Sequence, residues 1–141
     1  MRYMVGAKPE EILGFVLNDV GDTLFVGGVG RFFEGTPDQM LDAMDKLGTL
    51  PDDSLVCCAH EYTLGNFRFL ASVDAPRCQA ELEAVQRKRN ANISTVPSRL
   101  GDEKRLNLFM RCRHEETQGL VGVGSAVDAM RALRERKNAF K

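Results

Sequence analysis

No apolar run in the sequence approaches the roughly 18 residues that a membrane-spanning helix needs, so no helical membrane protein is expected. No two of its four cysteines, Cys57, Cys58, Cys78 and Cys112, have C-x-x-C spacing. They do not form a disulfide framework, and they predict reduced thiols in a cytoplasmic or mitochondrial-matrix setting. The opening segment, MRYMVGAKPEEILGF, lacks a basic region followed by an uninterrupted apolar stretch, so no secretory signal is expected. Internal repeats and low-complexity segments are absent. Histidine is scarce, with only His60 and His114. What remains is an ordinary globular composition of 43% hydrophobic and 28% charged residues over 141 positions. That suits one domain, or one small domain and part of another, and argues against disorder, collagen and coiled coil.

The net charge of −1 conceals a division. Residues 1–62 carry 4 Lys/Arg and 11 Asp/Glu, a balance of −7, and residues 63–141 carry 15 and 9, a balance of +6. A basic second half suits an anionic small molecule, an acidic partner or nucleic acid, or it is a solvated arginine-rich surface. Nucleic acid ranks last, because the arginines are dispersed and no aromatic residues interleave with them as a stacking platform requires.

ILGFVLNDV predicts a strand from about Gly14 to Val20, broken by Gly21-Asp22. TLFVGGVGRFFEG follows, too glycine-rich for a helix interior, and reads as a loop with short extended pieces. Thr36-Pro37-Asp38-Gln39 is a capping box with proline at the first helical position. Its helix runs to about Leu47, with Met40, Leu41, Met44 and Leu47 on one stripe and Gly48 as the stop. Ser54 to Ala59 reads as a short buried strand, and strand, loop, helix, strand implies an α/β layer. Helices are expected over Thr63–Val73 and Ala75–Arg89, and residues 93–124 as loop anchored by Leu106–Met110. Ser125–Asp128 caps a last helix ending near Phe140.

Asp22 and His60 each follow a predicted strand, where functional side chains collect in layered α/β folds. They suit half of a metal site, but zinc wants about four ligands, so on spacing alone a loop-capping Asp and a hydrogen-bonded His is the favoured reading. Cys57 and Cys58 read as small packed hydrophobes, and Cys58 with His60 as a conceivable nucleophile pair without an orienting third group. His114 reads as a surface histidine. Arg134 and Lys137 share a helical face that suits a carboxylate ligand, or simply a solvated basic helix end.

Gly21-Asp22-Thr23-Leu24-Phe25-Val26-Gly27-Gly28, with Gly30-Arg31-Phe32-Phe33-Glu34-Gly35-Thr36, resembles hydroxyacylglutathione hydrolase, or glyoxalase II. So do His60-Glu61-Tyr62-Thr63 with Asn66 and Phe69, Thr95-Val96-Pro97-Ser98, Asn107-Leu108-Phe109-Met110-Arg111, and the stretch from Met130 to Lys137. The resemblance covers residues 21–141 in order. It implies an α+β fold: the truncated C-terminal part of a metallo-β-lactamase αββα sandwich (residues 1–62), followed by a helical glyoxalase II-type domain (residues 63–141).

The family hydrolyses the thioester of S-D-lactoylglutathione to D-lactate and glutathione, in methylglyoxal detoxification, with two ions of zinc, iron or manganese. By resemblance, Asp22 is the carboxylate that bridges the metals and His60 a histidine ligand of one. Arg31, Phe33, Tyr62, Arg134 and Lys137 fall at positions that hold glutathione. Phe33 stands where the family has tyrosine, losing a hydrogen bond of about 0.5–1.5 kcal/mol. The family's T-H-x-H-x-D-H motif is absent, so at most two of its metal ligands are present and none of the residues is assigned to the catalytic step itself. The expectation is therefore a glyoxalase II-like chain that is inactive by itself, its exposed sheet edge open to self-association. The alternative is a non-catalytic module that binds glutathione conjugates or a protein partner.

Overall fold

The computed structural model describes residues 16–18 (backbone only), 23–31, 35–58 and 60–141. Asp22 and Phe33, the ends of the Gly14–Val20 strand and Ala59 lie outside the described residues. The fold is α+β, as expected.

Two strands, β1 (Val16–Asn18) and β4 (Leu55–Cys57), pair in parallel, with Val16 opposite Leu55 and Asn18 opposite Cys57. A parallel pair needs a crossover, and helix α1 (Pro37–Gly48) supplies it. Thr36 caps α1 reciprocally: its hydroxyl accepts from Gln39 N at 3.3 Å, and the Gln39 side chain accepts from Thr36 N at 3.0 Å. Leu41, Met44 and Leu47 are the buried stripe. Gly48 does not stop the helix; it is the last helical residue. The end is made by Thr49, in ordinary right-handed conformation, whose hydroxyl donates to Lys46 O at 2.7 Å. Within the crossover lies a small hairpin, β2 (Leu24–Phe25) and β3 (Gly28–Val29), antiparallel around Val26-Gly27.

Helices α2 (Thr63–Val73) and α3 (Ala75–Asn90) fall where the apolar periodicity places them. Asp74 joins them, accepting from Arg77 N at 3.3 Å and Arg77 Nε at 3.0 Å.

The segment 93–124 corrects the loop expectation. It forms β5 (Ser98–Arg99), α4 (Leu100–Leu106), a 3-10 turn (Leu108–Met110) and α5 (Glu115–Val121). Strand β5 adds to β4 antiparallel, giving the sheet order β1-β4-β5. Both helices have seven residues and carry an internal glycine, so each is stable only through packing, not propensity. Gly122, at φ +73°, closes α5 in the left-handed conformation that glycine adopts without a Cβ penalty. Helix α6 (Ala126–Ala139) starts at Ser125, whose hydroxyl accepts from Asp128 N at 3.2 Å.

One contiguous hydrophobic cluster joins hairpin, sheet and helices, with Leu24, Val56, Phe67, Leu70, Phe109 and Leu133 at its centre. All four cysteines are free. Cys78 and Cys112 are buried, and burial pushes their thiols up to about 11 and about 12, so they pack as small hydrophobes. No described helix is long and apolar enough to cross a membrane.

Candidate functional site

The β2–β3 hairpin is too short to hold itself; two-residue strands supply little ladder. Side chains from α2, α4 and α6, and Asn107 at the end of α4, hold it instead, gripping successive backbone groups. Asn66 Nδ2 donates to Val26 O at 3.1 Å, and Gly27 N donates to Glu103 Oε2 at 3.0 Å. Asn107 Nδ2 donates to Gly28 O at 3.2 Å, and Arg134 Nη1 donates to Val29 O at 2.7 Å. All four clamping side chains are buried.

The glycines make this approach possible. A Cβ on Gly27 would lie 2.8 Å from the Phe67 ring, and one on Gly28 2.9 Å from the Asn66 amide.

Beside the clamped hairpin opens a cleft of about 670 Å³, bounded by Phe25, Arg31, His60, Tyr62, Arg134 and Lys137 among others. The structure thus brings together five residues that the sequence singled out: Arg31, His60, Tyr62, Arg134 and Lys137. One wall is aromatic. Tyr62 stacks on His60 at 4.9 Å and meets Phe25 edge-on at 5.2 Å. Tyr62 is 52% exposed, an open platform at the mouth.

The cleft is also lined by cations. Arg134 is buried, its guanidinium 5.8 Å from the Phe109 ring centroid and its Nε donating to Asn138 at 3.0 Å. Lys137 Nζ reaches the Gly65 carbonyl at 3.5 Å and sits over the Phe69 and Phe140 rings. Burial, then the nearby Arg31, pulls Arg134 down to about 10; burial, then Arg134 and Arg31, lowers Lys137. Among the described residues no carboxylate forms an ion pair with Arg31, Arg134 or Lys137. Three cations that repel one another around a cleft form a ready receptor for an anion.

Glu61, at the cleft's edge, is already engaged. It accepts from Thr95 N at 3.1 Å, Ser94 Oγ at 3.2 Å and the Thr95 hydroxyl. Burial pushes its carboxyl up, but the bonds from Thr95 and Ser94, with Arg89, outweigh that and hold it below the usual range. Cys58 makes its hydrogen bond to the His60 carbonyl at 3.3 Å, not to the imidazole. His114 is exposed, as read from the sequence. Among the described residues no group of three or more His, Cys, Asp or Glu side chains could hold a metal ion, so these residues alone do not fit one.

A family model described as "Hydroxyacylglutathione hydrolase C-terminus" matches residues 61–140. The chain belongs to the hydroxyacylglutathione hydrolase family. It is 43% identical over 128 residues to the hydroxyacylglutathione hydrolase of Aeromonas salmonicida, covering 85% of this chain and 50% of that protein. It is 46% identical over 122 residues to that of a Synechococcus strain, and 44% to that of Nostoc punctiforme, covering 85% of this chain and 47% and 48% of theirs. The chain spans about half the length of the curated relatives it matches. The hydroxyacylglutathione hydrolase match includes Tyr62, Arg134 and Lys137 from the cleft, and Asn66, Glu103 and Asn107 from the clamp.

Glu103 lies within 93–124, the segment that the sequence reads as loop, and no motif points to it. The available signal was its spacing: Leu100, Glu103 and Leu106 share one helical face, and all three are buried. Asn66 and Asn107 stood in the motifs that carry the resemblance, without an assigned role.

Proposed function

We propose that this chain is the substrate-holding part of a hydroxyacylglutathione hydrolase, and that its cleft takes the glutathione portion of an S-acylglutathione such as S-D-lactoylglutathione. The observation that supports this reading best is the trio of Arg31, Arg134 and Lys137 around one cleft, none of them ion-paired to a carboxylate among the described residues. Glutathione carries two carboxylates at its ends and a peptide between them. Arg134 and Lys137 neutralise carboxylate charge, Arg31 adds a third cation at the rim, and Tyr62 supplies a flat apolar wall with a hydroxyl.

His60 and Asp22 are the residues we assign to metal in the family's reaction, with zinc, iron or manganese as the ion. The chain holds only two histidines, and the described residues alone do not fit a metal. In this reading residues 1–62 belong to the metallo-β-lactamase-like part and 63–141 to the helical part. The remaining ligands come from outside these 141 residues. The chain by itself is then a binding module, housed in a reducing compartment such as the cytoplasm.

The test is hydrolysis of S-D-lactoylglutathione by the purified chain with added Zn²⁺ or Fe²⁺, with a chelator as control. The expected outcome is no metal-dependent turnover from a folded protein that still binds a glutathione conjugate. Turnover abolished by the chelator contradicts the incomplete-site reading.

A further inference from the structure

Glu103 is the most deeply buried carboxyl group among the described residues, at 2% exposure. Its Oε2 accepts from Gly27 N and Asn107 Nδ2, both at 3.0 Å, and its Oε1 from Ser98 Oγ at 3.0 Å. No described lysine or arginine forms an ion pair with it. Burial pushes its pKa up to about 7, against the pull of those hydrogen bonds. A buried carboxyl without a counter-charge is unfavourable for stability. Its position therefore calls for an account beyond packing.

That account lies in what it grips. Gly27 is the turn of the hairpin, at φ +75°. Strand β3 follows it directly and ends two residues before Arg31. Gly30 N closes the hairpin base on Thr23 O at 3.2 Å. Arg134 holds Val29 one step further on, so the same short segment is tied at Gly27 to α4 and at Val29 to α6.

We propose that Glu103 is a positioning residue for the cleft: by fixing the Gly27 turn it sets where Arg31 stands relative to Arg134 and Lys137. This rests on the cleft reading above. The device works in either protonation state. With a proton on Oε1 the acid donates to Ser98 Oγ, whose hydroxyl rotates to accept, while Oε2 still receives Gly27 and Asn107. Position, not charge, is what it supplies, and glutamine is the diagnostic replacement. A glutamine oxygen accepts the same two bonds, and its amide donates to Ser98.

The experiment compares wild type, Glu103→Ala and Glu103→Gln by NMR amide exchange and by calorimetric titration with S-methylglutathione, a thioether that cannot be hydrolysed. In Glu103→Ala, exchange at Gly27 and Gly30 should speed up roughly tenfold, and affinity should fall roughly tenfold, the scale of one lost hydrogen bond. The Val85 amide in α3 should exchange as in wild type. Glu103→Gln should keep both properties within about threefold. A folded Glu103→Ala with wild-type exchange at Gly27 and Gly30 overturns the proposal. Should the alanine variant fail to fold, a folded Glu103→Gln that loses Gly27 protection overturns it equally. A wild-type protein that does not bind S-methylglutathione contradicts the cleft reading alone, and the exchange pattern still decides on Glu103.

Discussion

Arg134→Ala is expected to weaken binding of S-methylglutathione by roughly 10- to 100-fold, the range for losing a hydrogen-bonded charge pair of about 1.5–3 kcal/mol. Two atoms of the guanidinium are already committed, Nη1 to Val29 O and Nε to Asn138 Oδ1. Nη2 makes no hydrogen bond among the described residues, and Arg134 lines the cleft, so that edge is the one left for a ligand carboxylate. The same substitution strands the Val29 carbonyl in a buried place, a cost of about 1–3 kcal/mol in stability. Arg134→Lys separates the effects. It keeps the charge but cannot hold Val29 O and a ligand with one planar fork, so it should recover only part of the affinity. Calorimetry and urea unfolding on the same samples give both numbers. An alanine variant that binds as wild type removes Arg134 from the site.

Gly27→Ala should be the most damaging single change in the hairpin. Its Cβ would sit 2.8 and 2.9 Å from two ring carbons of Phe67, which is 2% exposed and has no space to yield. Overpacking of this kind costs about 1–3 kcal/mol, and a left-handed φ of +75° adds about 1–2 kcal/mol for a residue with a Cβ. The expected loss is about 2–5 kcal/mol, read from the urea midpoint at unchanged slope. Gly48→Ala is the control. A Cβ there meets nothing within 4 Å, so stability should be unchanged or slightly raised. Equal midpoints for wild type and Gly27→Ala would mean that the turn does not press against Phe67.

These predictions depend on features of uneven legibility in the sequence. Helices α1 and α6 announce themselves through Thr36 and Ser125 at their N-caps, and α2 and α3 through apolar periodicity. The parallel β1–β4 pair follows from a helix lying between two short apolar runs. The 93–124 region stayed hidden because its helices are one or two turns long, carry Gly101 and Gly119, and gain their stability from packing alone. The hairpin clamp was hidden for another reason. Its bonds join residues 40, 76, 79 and 105 positions apart, which no local pattern encodes.

The cleft itself lay between these cases. Arg134 and Lys137 at i and i+3 fit a solvated helix end as well as a carboxylate site. Only the burial of Arg134, the half-burial of Lys137 and the approach of Arg31 separate the two. Tyr62 is pointed to by family resemblance and His60 by its place after a predicted strand as well, and the structure stacks the two rings face to face in the cleft.

The central claim is that this cleft receives an anionic glutathione conjugate. Its most direct test is a calorimetric titration of the wild-type chain with S-methylglutathione at low and high salt. The expected result is saturable one-site binding that weakens as salt screens the three cations. A folded protein that shows no saturable binding at low salt would contradict it.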